Sequence, residues 1–202
     1  MLTGVILAGG LSSDMGRSTA SVELAGTPLV QYAISALAHA VDELVITIAP
    51  DQELPPLKCD VPVVVCEDLL PDRGPLTGIF TGLQCARADY AVVVPCDAPF
   101  IEPALLRLLL DERRGHDAVV PTVDGRPEPQ LAVYQKTCIP ALQRALNSED
   151  FALTTFLRHV RVCYVEEERL READSLLRSF FNINDPQQLA KAQRAFVTAR
   201  RR

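Results

Sequence analysis

Residues 3–7 (Thr-Gly-Val-Ile-Leu), 43–48 (Glu-Leu-Val-Ile-Thr-Ile), 61–66 (Val-Pro-Val-Val-Val-Cys) and 90–94 (Tyr-Ala-Val-Val-Val) are short, largely apolar runs. Stretches with apolar residues at helical spacing separate them. A strand that is apolar on nearly every residue is buried on both faces, and that requires a mostly parallel sheet with helices on either side. The helical patterns cover residues 29–39, 76–86, 103–113 and 137–146, with a shorter one at 151–159. Further strands are expected at 118–121, 131–134 and 160–165. Pro103 suits the first position of its helix. A last helix opens with Asp185 as N-cap, Pro186 at N1 and Gln188 at N3. The expected architecture is α/β in three layers. One domain is expected over residues 1–199, with Arg200, Arg201 and Arg202 as a basic tail. Residues 125–181 have irregular strand spacing and read as an extension covering part of a site.

In such sheets ligands bind outside the carboxyl ends of the strands. The residues that follow strands therefore carry the functional signal. The first strand stops in Gly9-Gly10, and Gly16 follows. A strand breaking into a glycine loop brings backbone N–H groups close to a phosphate. A plain strand-to-helix turn would use the same glycines. The loop is not Gly-x-Gly-x-x-Gly, so the dinucleotide fingerprint is not met. It also departs from a Walker A loop: the spacing from Gly10 to Gly16-Arg17-Ser18 is one residue too long, and Arg17 stands where lysine is required.

Three other segments carry chemistry. Asp97 follows the most apolar strand, in Pro95-Cys96-Asp97-Ala98-Pro99-Phe100. A carboxylate held between two prolines at a strand end suits Mg²⁺, which takes one or two carboxylates plus substrate oxygens. The competing role is a cap for the next turn. Gly78 and Gly82 lie on one face of a helix, where they admit a flat ligand or a closely packed sheet. Asn182 and Asn184 alternate with Ile183, so both amides point to one side of an extended segment. They can bind a polar ligand or stabilise the loop.

The 202 residues are 48% hydrophobic and 23% charged, with net charge −6. That excludes an electrostatic footprint for nucleic acid or anionic membranes. No apolar run approaches the ~18 residues of a membrane span, and the N-terminus has no signal-peptide pattern. The six cysteines (Cys59, Cys66, Cys85, Cys96, Cys138, Cys163) contain no Cys-x-x-Cys pair, so reduced thiols and a cytoplasmic location are expected. His39, His116 and His159 have no ligand spacing.

Taken together, the segments resemble the molybdenum cofactor guanylyltransferases. Leu7-Ala8-Gly9-Gly10, Ser12, Met15-Gly16 and Gly26-Thr27-Pro28-Leu29 match that family's opening motif. Gly74-Pro75-Leu76-Thr77-Gly78-Ile79 matches its Gly-Pro-Leu-x-Gly-Ile, Pro95–Pro99 its Pro-Cys-Asp-x-Pro, and Asn182–Pro186 its Asn-Ile-Asn-x-Pro. The segment Gly125-Arg126-Pro127-Glu128-Pro129, with Ala132 and Tyr134, also looks familial. The resemblance implies a Rossmann-like nucleotidyltransferase fold and transfer of GMP from GTP to molybdopterin with release of pyrophosphate. It implies Mg²⁺ on Asp97 and nucleotide contacts from Leu7, Ala8, Gly9, Gly10, Leu11, Asp68 and Gly78, with Asp68 meeting the ribose. Asn182 and Asn184 would face the pterin. Other cofactor-biosynthesis proteins or molybdoenzymes are implied as further partners.

Several residues depart from the family pattern. Asp14 occupies its arginine position, Ser18 and Thr19 its aspartate and lysine, and Pro50 a position often held by asparagine. Arg17 is then the only cation in the loop and is counted with the catalytic residues Asp97, Asn182 and Asn184. Impaired turnover is expected. Two other readings stay open: a non-catalytic relative that binds nucleotide or cofactor as regulator or carrier, and a cytidylyltransferase or sugar-phosphate nucleotidyltransferase.

Overall fold

In a computed structural model of the chain, the described residues are 1–12, 17–68, 70, 73–148 and 151–199. Side chains at 11, 12, 17 and 197–199 are outside the description, as are Asp14, Met15 and Gly16 entirely.

The strands are β1 (Thr3–Leu7), β2 (Leu11–Ser12), β3 (Arg17–Ser18), β4 (Glu23–Leu24), β5 (Thr27–Pro28), β6 (Glu43–Ile48), β7 (Val63–Glu67), β8 (Tyr90–Pro95), β9 (Ala118–Val123), β10 (Arg126–Pro127), β11 (Ala132–Gln135) and β12 (Val162–Val165). The helices are α1 (Leu29–Leu37), α2 (Pro75–Cys85), α3 (Pro103–Asp111), α4 (Ile139–Leu146), α5 (Leu153–Leu157), α6 (Glu167–Ala173) and α7 (Pro186–Ala199). Eight strands form the main sheet in the order β10-β9-β11-β8-β1-β6-β7, with β12 also paired to β9. β1 runs parallel to β6 and β8, β6 to β7, and β9 to β12. β11 is antiparallel to both its neighbours, β8 and β9. The sheet is thus mixed but mostly parallel. Residues 125–181, expected to lie over the site as an extension, instead supply β10, β11 and β12 to the sheet itself.

The side-chain alternation of the central strands builds two cores. Ile6, Val92 and Val94 face α1, α3 and α6, packing with Ile34, Leu105, Leu109 and Leu170. Val5, Leu7, Ala91 and Val93 face α2, α4 and α5, packing with Ile79, Leu83, Leu142 and Phe156. Helices therefore cover both faces, which is why these strands tolerate apolar residues throughout.

α2 lies unusually close to β1. A Cβ added at Gly82 would sit 2.4 Å from Val5 Cγ1 and 3.3 Å from Val5 Cβ. Val5 is fully buried and branched at Cβ, so it cannot rotate away. Of the two roles open for Gly82, helix–sheet packing is the one its surroundings fill. Gly82→Ala is expected to lose about 1–3 kcal/mol by overpacking, against a helix-propensity gain of about 1 kcal/mol at most. Thermal unfolding checks this: a melting temperature at or above the parent's would show that the helix simply shifts outward.

The cysteine expectation is corrected at one pair. Cys66 in β7 and Cys85, the last residue of α2, form a disulfide with Cα atoms 7.1 Å apart. α2 packs across β1, β6 and β7 and carries Cys85 over Cys66. The 19-residue separation has no local pattern to betray it. With this bond goes the argument from thiols for a reducing compartment. Cys59, Cys96, Cys138 and Cys163 are free. Among the described residues no helix is long and apolar enough to cross a membrane.

Candidate functional site

The parallel registers align the carboxyl ends of four strands. Leu7 pairs with Thr47 and with Pro95, and Ile48 pairs with Glu67. The ladder continues one step further: Ala8 N–H donates to the Thr47 carbonyl (2.8 Å), Cys96 N–H to Leu7 (3.1 Å) and Asp68 N–H to Ile48 (2.8 Å). Gly9, Asp68 and Asp97 consequently emerge along one edge of the sheet, in the crevice where α/β proteins bind ligands.

Gly9 and Asp68 touch. A Cβ on Gly9 would lie 3.1 Å from Asp68 Oδ2 and 3.1 Å from the backbone nitrogen of Ala49, so the glycine is needed for close approach. Gly78, in the first turns of α2, sits against Leu7 and Thr47 with Asp68 Oδ1 just beyond. α2 begins at Gly74-Pro75, and its amino end lies at the carboxyl edge because the crossover from β7 returns from there. Its partial positive charge therefore favours an anion at this edge.

Both carboxylates are poorly satisfied. Among the described residues, Asp68 Oδ1 and Asp97 Oδ1 are buried without a hydrogen-bond partner, and so is Thr81 Oγ1 on α2. Burial pushes the Asp97 carboxyl up to about 6, with a bond to its own backbone N–H offsetting a little. Burial also pushes Asp68 up to about 6; the Thr81 hydroxyl approaches and offsets part, without closing a hydrogen bond of ordinary geometry. Orphaned carboxylate oxygens at a ligand crevice are groups awaiting a partner. Among the described residues no cluster of three metal-ligating side chains exists. A single carboxylate completed by substrate oxygens is nonetheless a common magnesium arrangement, and Asp97 fits it.

Asn182 and Asn184 are drawn beside Asp97 by Ile183, whose N–H donates to the Asp97 carbonyl at 2.9 Å. Ile183 is fully buried among Val22, Leu24, Leu29 and Ala192, while Asn182 is half-buried and Asn184 exposed. The α7 cap holds this segment: Asp185 Oδ1 accepts from Gln188 N–H (2.8 Å), and Gln188 Oε1 accepts from Asn184 N–H (2.6 Å).

Among the described side chains the edge is acidic, carrying Asp68 and Asp97. Arg17 has its backbone in β3, paired with Ser12, and its side chain lies outside the description, as does all of Asp14. Arg73 donates instead to the Leu146 carbonyl and covers the Phe151 ring. Thr19 is buried, with its N–H donating to the Gly10 carbonyl at 3.2 Å. Leu7, Ala8, Gly9, Gly10, Asp68, Gly78 and Asp97 are thus brought together, with the backbone of Leu11 continuing from them.

Sequence reasoning missed a neighbouring group. A cleft of about 450 Å³ has the half-buried rings of Phe100 and Phe181 in its wall, 6.0 Å apart. Arg178 lies over Phe100 and Lys191 over Phe181, at 5.5 and 5.4 Å. Among the described residues neither cation has a carboxylate partner. The loops bearing Phe100 and Phe181 are those bearing Asp97 and Asn182. Their separation of some eighty positions hid the grouping, although two aromatics flanking motif residues were a usable signal.

Glycines at a parallel-strand edge below a helix amino terminus make this an α/β protein with a site for a phosphate-bearing ligand. Comparison narrows the class. The family model of the MobA-like NTP transferase domain matches residues 4–164. A "Probable molybdenum cofactor guanylyltransferase" from Pelotomaculum thermopropionicum is 36% identical over 95% of this chain and 91% of its own length. A "Molybdenum cofactor guanylyltransferase" from Desulfosudis oleivorans is 32% identical over 98% of both chains. The crystal structure of molybdopterin-guanine dinucleotide biosynthesis protein A from Archaeoglobus fulgidus superposes with a TM-score of 0.81 at 27% identity, covering 97% of this chain and 99% of that one. The chain belongs to the MobA-like NTP transferase family.

Proposed function

We propose that the protein transfers GMP from GTP to molybdopterin and releases pyrophosphate. The observation that carries this reading is the buried Oδ1 of Asp97, without a hydrogen-bond partner among the described residues, at the same sheet edge as the Gly9–Asp68 contact. Full-length likeness to named guanylyltransferases supports the choice of substrates. The backbone from Ala8 to Leu11 lines the base or phosphates, with the N–H groups of Gly9 and Gly10 as donors because Ala8 N–H is already spent on the Thr47 carbonyl, and Asp68 accepts from the ribose hydroxyls. Asp97 is the residue that would hold Mg²⁺, which would supply neutralisation of the phosphate charge. Asn182, Asn184 and the cationic ring cleft orient the acceptor, with Arg178 and Lys191 offsetting its phosphate charge. An acceptor phosphate oxygen attacks the α-phosphorus in line as the bond to the bridging oxygen breaks, and pyrophosphate leaves. No covalent enzyme intermediate is needed, so the protein's contribution is positioning and charge. A cytoplasmic setting is part of this reading.

The test is pyrophosphate release from GTP, CTP and ATP with Mg²⁺, with molybdopterin present and absent. Release that needs both GTP and molybdopterin is expected. Preference for CTP would transfer the reading to a cytidylyltransferase. Binding of GTP or molybdopterin with no release would make the protein a carrier or regulator.

A further inference from the structure

We infer that Gln52 is the positioning residue of the nucleotide loop. Its side-chain amide joins three separate segments of the edge. Nε2 donates to the Ala8 carbonyl at 2.8 Å and to Ser18 Oγ at 2.7 Å, and Oε1 accepts from Ala49 N–H at 3.1 Å. Ala8 is the last residue before Gly9-Gly10, and Ser18 is where the chain returns in β3. One amide therefore pins both ends of the glycine loop to each other and to the turn after β6.

The turn is built to present it. Asp51 adopts φ 59°, a left-handed conformation that reverses the chain, and Gln52 N–H donates back to the Ala49 carbonyl at 3.2 Å. The same turn places Ala49 N against Gly9, which carries the Asp68 contact. Both amide N–H donors are thereby used on backbone or hydroxyl groups of the loop framework, leaving Gln52 no donor for an anionic ligand. A second closure, Thr19 N–H to the Gly10 carbonyl, joins the same two segments beside it. Gln52 acts through the loop: it fixes where the N–H groups of Gly9 and Gly10 point. A loop with glycines at its mouth otherwise samples many arrangements, and ordering it on binding would weaken nucleotide affinity.

This rests on the loop holding nucleotide, so the readout is binding rather than guanylyltransfer. Gln52→Ala, Gln52→Glu and Ser18→Ala are titrated with whichever nucleoside triphosphate the parent binds, alongside thermal unfolding and, where turnover exists, kcat and KM. Gln52→Glu is near-isosteric and keeps the acceptor for Ala49 while losing both donors. Loss of the two donated hydrogen bonds in Gln52→Glu, and of these and the accepted one in Gln52→Ala, predicts a dissociation constant raised about tenfold or more in both, and about threefold in Ser18→Ala. The effect falls on KM more than kcat, with the parent's melting temperature largely kept. Unchanged nucleotide affinity in Gln52→Glu overturns the proposal, as does a drop in melting temperature and kcat with KM unmoved, the signature of a merely structural residue. A parent that binds no nucleotide would sink the function reading first and separately.

Discussion

Asp97→Asn is expected to lower Mg²⁺-dependent turnover by at least about 10²–10³-fold, the scale of losing one preorganised charge contact at a reacting phosphate. The same change is expected to make the unliganded protein more stable at neutral pH. Burial raises the Asp97 carboxyl to about 6, so the folded chain keeps a proton that the unfolded chain, near 3.8, releases. Folding stability therefore falls as pH rises from about 4 through 6, and the penalty is complete above that. A shift of this size corresponds to at most roughly 3 kcal/mol. Asparagine has the same shape and no charge, so the gain in melting temperature is present at pH 7 and vanishes near pH 4. Metal-dependent nucleotide binding by the parent runs the other way, strengthening as pH rises through about 6, because the ionised carboxylate is the form that meets a cation. If Asp97 only caps the turn after β8, asparagine caps it equally well and the variant keeps its Mg²⁺-dependent nucleotide affinity and turnover; thermal scans and GTP titrations across pH 4–8 separate the two.

What could be read from the chain depended on how locally each feature is encoded. β1 and β6 match the expected residues end to end, and β8 extends one residue past its expected end, because each core strand is apolar nearly throughout and bounded by turn residues. The cap of α7 was legible because Asp185 and Gln188 sit three apart. The two-residue strands β2, β3, β4, β5 and β10 were not legible, since two residues carry no period. α6 was missed because Leu170 is its only buried residue, and one apolar anchor gives a helix no stripe. Site residues divide in the same way. Gly9, Asp68 and Asp97 follow strands, and strand-end positions are visible from the alternation alone. Gln52, Thr81 and the ring pair Phe100–Phe181 acquire meaning only from chain crossings, which no local pattern records. The Cys66–Cys85 bond belongs with these.

Restoring charge to the glycine loop is expected to raise turnover. Asp14→Arg with Thr19→Lys should accelerate pyrophosphate release at least about tenfold, since preorganised cations at transferring phosphates are each worth more than that in related chemistry. The electrostatic motive is large: a like-charge contact at ~4 Å and an effective dielectric near 20 costs about 4 kcal/mol before screening. Asp14 adds a carboxylate to a loop proposed to meet a triphosphate, and Asp68 and Asp97 already stand at that edge. Thr19 is well placed for the second change. It is 8% exposed, and its hydroxyl would lie 3.8 Å from a Cβ built on Gly10. A lysine there starts beside Gly10 and carries its ammonium along the loop mouth, since its stem can lie on apolar surface while the charged end reaches outward. Thr19→Met supplies similar length without charge and is expected to give no gain. Should the methionine variant match the lysine one, the improvement would come from packing. Should the double variant bind GTP yet turn over no faster than the parent, Arg17 already supplies the needed charge or the acceptor side is what limits the reaction, and the impaired-loop reading fails.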